Sequence, residues 1–300
     1  MEARRTALHL RSTTVSLVEW APSSPAAPTI VLLHGGGADS AELSWGELGP
    51  AIAAAGHRVL APDHPGFGES PRASWRLTQE HLVSYVAELI DALRLDDYVI
   101  GGLSLGGGMT IGHLLDQPGR ARGAVLLGSY GLMPRLYSGR LGFLAHLGTF
   151  ALERSGVLAA LTRSYARDRG AMERGIAGLI RDPLRRTPGL VDAIMAEAAG
   201  TGPTVFREWQ RDQVRATGLR TVYTDRLATI RTPTLLVHGD HDSGVPIAHA
   251  EKAASLLPQG RLVSVPGAGH WVQRDRPQRV IAAVIEHVRS LTDAETTDPR

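Results

Sequence analysis

The 300-residue sequence contains no cysteine and no asparagine, and Lys252 is its single lysine. Without cysteine, the chain can form no disulfide, thiolate nucleophile or cysteine-bound metal site. Without asparagine, it offers no acceptor for N-glycosylation. No apolar run reaches the roughly 20 residues of a membrane span, because even Leu141–Leu152 contains His146. The N-terminus also lacks a signal-like apolar stretch, and we expect a cytoplasmic protein.

The charge is nearly balanced, with a formal net charge of +2. Residues 131–227 hold 15 arginines and 9 acidic residues, a local charge of +6 that leaves −4 on the rest of the chain. The pI of 9.2 mostly reflects how few groups titrate between histidine and tyrosine, and a net charge this small does not indicate nucleic-acid binding. The composition, 43% hydrophobic and 21% charged, is that of a globular domain with a large core.

Short apolar runs alternate with helix-length segments, which is typical of a parallel sheet covered on both faces. Two β-like runs, Thr6–Leu10 and Thr14–Trp20, precede this pattern and predict a hairpin or a pair of edge strands. The predicted parallel strands are Ile30–Leu33, His57–Pro62, Tyr98–Gly102, Ala124–Gly128, Thr232–Gly239 and Arg261–Val265. The predicted helices between and after them are Leu43–Ala55, Thr78–Leu93 and Pro277–Leu291. The fold class is α/β, with a mostly parallel, doubly wound sheet.

The alternation stops at Gly131 and resumes near residue 228, and the segment between reads as helical without a convincing strand. We therefore predict a core made of residues 1–130 and 228–300, with residues 131–227 inserted as a helical cap. Apolar residues at helical spacing in the cap either face a pocket from above, which would imply a substrate with an apolar acyl part, or simply pack. They are Phe143, Leu144, Leu147 and Phe150. The polar tail after Leu291 is predicted to be frayed.

Gly102, Ser104 and Gly106 form a G-x-S-x-G between a predicted strand and a predicted helix. A strand that turns abruptly into a helix strains the backbone of the central residue, and glycine-sized neighbours avoid colliding with it. The turn would expose the Ser104 hydroxyl at the carboxyl end of the sheet, where it can act as a nucleophile. A glycine-rich turn with an incidental serine is the alternative.

His34–Gly37 follow the first buried strand as H-G-G-G. Such a loop lets backbone N–H groups approach the oxyanion that forms when a carbonyl is attacked, and we predict the N–H groups of Gly36 and Leu105 as the donors. His34 and Gly37 are candidates for lining the pocket. A dinucleotide site would need G-x-G-x-x-G, which this loop lacks, and no P-loop motif is present.

Asp240 and Asp242 follow a late buried strand. We choose Asp242 as the orienting carboxylate because it stands further into the loop, and keep Asp240 in reserve. The neighbouring His238 and His241 suggest a metal site, but adjacent strand residues point to opposite faces, and we predict no metal.

His270 follows Gly267 and Gly269 in the loop from the last strand to the last helix, and no other histidine of the chain has this setting. Serine needs an imidazole to accept its proton, and the imidazole needs a carboxylate to hold its tautomer. Ser104, Asp242 and His270 are thus the predicted catalytic residues, and no cofactor is implied. Trp271 either lines the pocket or caps the core.

The chain resembles the α/β-hydrolase fold superfamily over essentially its whole length, in the order nucleophile, acid, histidine. Asp63–Ser70 resembles the D-x-P-G-x-G-x-S loop of these proteins, and a serine at position 104 argues against the branches that use an aspartate there. The H-G-G-G loop and the His270–Trp271 pair also resemble the hydrolases that cleave carbon–carbon bonds of vinylogous 1,5-diketones. Ala196–Gly200 stands where their cap supplies an arginine, and no arginine is present in it.

The resemblance implies a small-molecule substrate and three possible activities. Hydrolysis of a carboxylic ester, lactone or thioester through an acyl-enzyme is the main hypothesis. Carbon–carbon bond hydrolysis is the first alternative. A transacylase, lyase or cyclase, or a binding protein without catalysis, is the second, since one fold hosts many functions.

Overall fold

The computed structural model describes residues 2–137, 139–157 and 167–297. The strands are β1 (Arg4–His9), β2 (Thr14–Trp20), β3 (Ala26–Leu33), β4 (His57–Pro62), β5 (Tyr98–Leu103), β6 (Gly123–Leu127), β7 (Val214–Arg215), β8 (Gly218–Leu219), β9 (Thr234–Gly239) and β10 (Gly260–Val265). Eight of them form one sheet in the order β1-β2-β4-β3-β5-β6-β9-β10. β2 runs antiparallel to β1 and β4, and the remaining pairs are parallel. The predicted hairpin and parallel sheet are confirmed.

The central strands β5, β6 and β9 are buried along their whole length, as near-continuous apolar strands require. In β3, Ile30 and Leu32 join one apolar cluster, while Val31 and Leu33 join the cluster on the opposite face. This division follows from the two-residue period of a strand. Because β4, β3, β5, β6, β9 and β10 pair in parallel, their carboxyl ends lie at the same edge of the sheet.

Helices flank the sheet and fill the insertion. They are α1 (Ala41–Trp45), α2 (Leu48–Ala54), α3 (Gln79–Ala92), α4 (Leu105–Asp116), α5 (Gly142–Ser155), α6 (Arg169–Leu179), α7 (Pro188–Ala199), α8 (Gly202–Gln213), α9 (Ile247–Leu256), α10 (Val272–Asp275) and α11 (Pro277–Thr297). Short 3₁₀ turns lie at Pro183–Arg185 and Thr224–Thr229. α3 begins as predicted, because the Thr78 side chain accepts a hydrogen bond from the His81 N–H.

The helix predicted over Leu43–Ala55 is wrong as a single element, since the chain forms α1 and α2 instead. α1 closes with a hydrogen bond from the Gly46 N–H to the Glu42 carbonyl. Pro50 has no N–H to donate to the Gly46 carbonyl, so a continuous helix could not be completed there. The apolar spacing alone did not reveal this break.

Two further predictions need correction. The insertion contains a strand pair, β7 with β8, where the sequence indicated none. α11 runs on to Thr297, through part of the tail that was predicted to be frayed. In the described part of the chain, no helix is both long enough and apolar enough to cross a membrane.

The apolar residues of α5 do not face a pocket. Phe143, Leu144 and Leu147 are exposed to solvent, while Phe150 is partly buried against the core. The stripe of α5 that faces the protein carries Gly142, His146 and Glu153 instead. The outward face of α5 therefore gives no support to a substrate with an apolar acyl part.

Candidate active site

Ser104 occupies the turn between β5 and α4 with φ 51° and ψ −110°. A positive φ at a residue with a side chain costs about 1–3 kcal/mol and persists only where the surroundings enforce it. Here the Ser104 N–H donates to the Leu127 carbonyl at 2.9 Å, and the Ser104 carbonyl accepts from the N–H groups of Gly108 and Tyr130. These bonds hold the serine at the carboxyl edge of the sheet.

The two glycines that flank Ser104 have no room for a side chain. A Cβ on Gly102 would lie 2.2 Å from the backbone carbon of Gly106. A Cβ on Gly106 would lie 2.1 Å from the Leu33 carbonyl oxygen. The strand therefore meets the helix at backbone contact distance, which is the reason for glycine that the motif predicts.

His270 and Asp242 meet on the same edge. The His270 Nδ1 atom lies 2.9 Å from each carboxylate oxygen of Asp242. The Asp242 carboxylate is 1% exposed and the His270 ring 11%. Because an ionised carboxylate only accepts hydrogen bonds, His270 Nδ1 carries the proton, and Nε2 presents a lone pair.

Gly128 connects this pair to the serine. A Cβ on Gly128 would lie 3.0 Å from both Asp242 Oδ2 and His270 Nδ1. Gly128 directly follows Leu127, whose carbonyl accepts the N–H of Ser104. The structure thereby brings the three predicted catalytic positions to one end of β5, β6 and β9.

The Asp242 carboxylate is held from several sides. Its Oδ1 accepts the N–H groups of Gly244 and Val245 at 2.7 and 2.8 Å, and its Oδ2 lies 3.1 Å from His238 Nε2. Burial alone would raise the pKa of Asp242, but the hydrogen bonds from His238 and His270 and their charges outweigh it and hold that pKa well below its usual range. The carboxylate therefore stays ionised at neutral pH.

Asp240, the reserve candidate, faces elsewhere. Its Oδ1 lies 2.7 Å from His241 Nδ1 and accepts the Gly267 N–H at 2.7 Å. His238, in contrast, turns inward toward Asp242 and the Val245 carbonyl. Neighbouring side chains of this segment thus diverge, and within the described ranges no three His, Asp or Glu residues are placed to share a metal ion.

The glycine loop offers backbone N–H groups of two kinds. The Gly35 N–H is taken by Asp39 Oδ2 at 2.8 Å. The Gly36 N–H donates to no partner in the described part of the chain. Leu105 begins α4, and the first N–H groups of a helix have no partner within it. The two N–H groups predicted as oxyanion donors are thus not taken up by a partner among the described residues. Gly37, the next residue of the loop, has φ +85°.

His34 was predicted as a possible pocket residue, but it is fully buried beneath the loop. Its Nδ1 donates to the Gly35 carbonyl at 2.7 Å, and its Nε2 accepts the His64 N–H at 2.9 Å. Burial lowers the pKa of His34 to about 3, so the ring is neutral with a fixed tautomer. Its place is to hold the loop in shape.

Asp39 is buried beside the glycine loop, and its pKa leads to a prediction about stability. Burial raises the pKa of Asp39 to about 7 in spite of hydrogen bonds from Ser44 Oγ and from the N–H groups of Gly35 and Ser40. The pKa of Asp39 is higher in the folded protein than in the unfolded chain, so its stabilising contribution is full at pH values below the unfolded pKa. This contribution is lost as the pH rises through the folded pKa of about 7.

We therefore expect Asp39→Asn to flatten the pH dependence of the free energy of unfolding. The wild type should lose about 2–4 kcal/mol more than the variant between pH 5 and pH 8, measured by urea denaturation. Asp91→Asn, which alters an exposed carboxylate, should keep the wild-type slope. An Asp39→Asn variant with an unchanged slope would contradict the raised pKa.

Phe206, Trp209 and Tyr130 form a row of aromatic rings beside the glycine loop, which we name the aromatic wall. In the sequence, only the spacing Phe206-x-x-Trp209 indicates it. A Cβ on Gly36 would lie 2.1 Å from Phe206 Cε2, so the Phe206 ring covers Gly36. Phe206 stacks on Trp209 with centroids 5.3 Å apart, and Trp209 meets Tyr130 edge-on at 4.6 Å. Phe206, the buried Trp209 and Tyr130 thus form a continuous row of aromatic rings that starts at the glycine loop.

Asp275, which the sequence analysis did not identify, links the cap to the loop that carries His270. It is buried and accepts the N–H groups of Gly269, Arg181 and Asp182 at 2.7–2.9 Å. Trp271 is 5% exposed and lies in the same apolar cluster as Met172 and Ile176 of α6. Of the two roles predicted for Trp271, the structure places it in packing between cap and core.

Comparisons with known proteins identify the fold family. A family model described as the alpha/beta hydrolase fold matches residues 28–277. A 2-hydroxy-6-oxo-6-(2'-aminophenyl)hexa-2,4-dienoic acid hydrolase of Metapseudomonas resinovorans is 24% identical over 270 residues, which cover 88% of this chain and 85% of the relative. A 2-hydroxymuconate semialdehyde hydrolase of Pseudomonas putida is 28% identical over 265 residues, 88% of each chain. A crystal structure of the CarC enzyme, a serine hydrolase involved in carbazole degradation, matches with a TM-score of 0.76 at 20% identity, over 96% of this chain and 99% of that one.

Proposed function

The chain belongs to the α/β hydrolase fold family, and from this membership we propose that it is a serine hydrolase that cleaves a carbon–carbon bond next to a carbonyl, in a vinylogous 1,5-diketone. The observation that carries the serine mechanism is the Asp242–His270 pair, which packs against Gly128, one residue after the Leu127 carbonyl that accepts the N–H of the strained Ser104. The names of the two sequence relatives favour the carbon–carbon substrate over the ester that the sequence alone placed first.

In the proposed first step, His270 Nε2 accepts the hydroxyl proton of Ser104 while Oγ forms a bond to the substrate carbonyl carbon. The carbonyl oxygen becomes an oxyanion, which the N–H groups of Gly36 and Leu105 stabilise. Asp242 stabilises the positive charge that develops on His270. Removal of one oxyanion donor costs about 10²–10³-fold in kcat in enzymes of this type.

The second step proceeds on the diketo tautomer of the substrate, in which the enol proton of the dienoate has moved to the adjacent carbon. The bond from the former carbonyl carbon to this adjacent carbon breaks. Its electron pair passes into the conjugated ketone of the leaving half as an enolate, and the carbon then takes the proton from His270. The remaining acyl group is an ester of Ser104. A water molecule hydrolyses this ester: His270 takes one proton from the water, the hydroxide adds to the carbonyl carbon, and the Ser104 oxygen leaves and regains the proton.

Hydrolysis of a carboxylic ester, lactone or thioester is the second candidate, because the same steps release an alkoxide or thiolate instead of a carbon. The cap favours it in one respect. Ala196–Gly200, which stands at the position of the cap arginine in the resembling hydrolases, contains no arginine and one acid, Glu197. The side chain that covers Gly36 is an apolar ring, Phe206, rather than a charged group.

A matched substrate panel separates the two candidates. We expect the kcat/KM for a 2-hydroxy-6-oxo-6-phenylhexa-2,4-dienoate, followed by loss of its chromophore, to exceed that for p-nitrophenyl butyrate by at least about tenfold. The reverse order would make ester hydrolysis the function. Release of acyl product only when an alcohol or amine acceptor is added would indicate a transacylase and overturn both hydrolytic candidates.

Phe206→Ala tests the aromatic wall within this proposal. Loss of the ring should raise KM for a phenyl-bearing substrate by about tenfold, because an aromatic contact is removed, while kcat changes less. Phe143→Ala, which removes an exposed ring of α5, is the matched control and should leave KM unchanged. Equal effects of the two substitutions would show that Phe206 does not contact substrate.

A further inference from the structure

α5 is inverted relative to an ordinary surface helix. Its protein-facing stripe carries His146, whose Nε2 donates to the Arg215 carbonyl at 2.7 Å, and Glu153, which pairs with Arg207 at 3.1 Å. Its outward side carries leucines and a phenylalanine, with Leu141 72% exposed and Leu144 61% exposed. A soluble surface helix places its apolar residues in the opposite direction.

The exposed apolar residues form one surface, which we name the α5 patch. It consists of Tyr137, Leu141, Phe143, Leu144, Leu147, Leu152 and Val157. Among the described residues, the remaining large apolar side chain that is exposed is Leu184, which lies in the Pro183–Arg185 turn. A concentration of this kind marks an interaction surface, whereas scattered exposed leucines do not.

The exposed charges of the segment that carries the α5 patch have one sign. Arg135, Arg140 and Arg154 belong to the segment 131–157, and its single acid, Glu153, is buried. The Arg135 guanidinium lies over the Phe143 ring, 5.9 Å from its centroid, which places a cation directly on the apolar surface. A partner that fits must therefore be both apolar and anionic.

We propose that the α5 patch seats the cap on an anionic lipid surface. An amphipathic helix with leucine and phenylalanine on one side and arginines beside them lies in the interface plane of a bilayer, held by buried apolar area and by attraction to anionic headgroups. The proposal concerns a surface that lies apart from Ser104 and does not depend on the substrate.

Charge argues against a second copy of the chain as the occupant. A two-fold interface brings the same patch of both copies together. The three arginines of each copy would then face each other, and the described part of the patch offers no exposed acid to pair with them. Anionic headgroups supply that missing charge.

Co-sedimentation of the full chain with vesicles tests the proposal. We expect binding to vesicles that contain phosphatidylglycerol, weak binding to phosphatidylcholine alone, and loss of binding as salt rises above about 0.1 M, where the Debye length is about 10 Å. The double variant Leu144→Ser, Leu147→Ser should lower the partition coefficient by at least about tenfold. Arg140→Gln and Arg154→Gln should each lower it by about fivefold.

Leu184→Ser is the matched control, because it removes a leucine that is even more exposed than Leu144 and Leu147 but lies outside the α5 patch, and it should leave binding unchanged. Turnover of a soluble substrate should be the same in all of these variants. Absence of vesicle binding, equal binding to neutral vesicles, or equal losses in the Leu184→Ser variant would overturn the proposal. A dimer in sedimentation velocity that the leucine variants dissociate, without vesicle binding, would make a second copy the occupant.

Discussion

Replacement of Ser104 with alanine is expected to lower kcat by about 10⁴–10⁶-fold and to leave the protein folded. The proposed mechanism passes through a covalent ester of the Ser104 oxygen, and alanine has no atom that can form it. The backbone bonds of residue 104 with Leu127, Gly108 and Tyr130 do not involve the side chain and should persist. Turnover of p-nitrophenyl butyrate and of the dienoate, with circular dichroism as the folding control, measures both parts.

Ser104→Gly is the matched control for strain. Glycine adopts φ 51° without the cost that a side chain imposes, so this variant should melt at a higher temperature than Ser104→Ala by the equivalent of about 1 kcal/mol. Both variants should be equally inactive. A serine-directed phosphonate should label Ser104 in the wild type, as read by mass spectrometry. Activity retained in Ser104→Ala, or no labelling of a folded wild type, would contradict the nucleophile assignment.

The parallel sheet was predictable because its signal is local. A buried strand such as β5 or β9 is a short apolar run, and the order of such runs with helices between them determines a doubly wound topology. The break between α1 and α2 was missed because apolar periodicity continues across it. It depends on the missing N–H of Pro50, a backbone property that spacing does not register.

Periodicity also failed to say which way α5 points. Leu144 and Leu147 define an apolar face, and their spacing predicted that this face points toward a pocket or the core. The structure turns it outward because His146 and Glu153 find partners in Arg215 and Arg207, which lie more than 50 residues further along the chain. Only the three-dimensional path of the cap reveals those partners.

Some residues of the candidate site were predictable from local sequence, and others were not. Ser104, the glycine loop and His270 were found from residues next to each other in the chain. Phe206 and Asp275 act across the junction of cap and core, where the contact with Gly36 or Gly269 depends on docking. Neither residue belongs to a recognisable sequence motif, and only its position in the folded chain makes it part of the site.

Replacement of Asp242 with asparagine is expected to lower kcat by about 10⁴-fold. The side-chain amide of the Asp242→Asn variant can keep its oxygen on the N–H groups of Gly244 and Val245, which places its NH₂ group toward His270. His270 Nδ1 must then accept a hydrogen bond, and the ring proton moves to Nε2. A protonated Nε2 cannot accept the hydroxyl proton of Ser104, so the first step loses its base.

Asp240→Asn is the matched control for this loop. Asp240 is exposed and bonds His241 and the Gly267 N–H, so kcat should stay within about threefold of the wild type. The low pKa of Asp242 also makes a prediction about pH. The ionised carboxylate stabilises the fold at pH values above its unfolded pKa near 4, and this contribution is lost only as the pH falls through the lower pKa of the folded state. Between pH 5 and pH 9 the wild-type carboxylate does not titrate, so the large deficit of Asp242→Asn should persist across that range. If Asp240→Asn, and not Asp242→Asn, showed the large loss of kcat under the same conditions, Asp240 would be the orienting carboxylate.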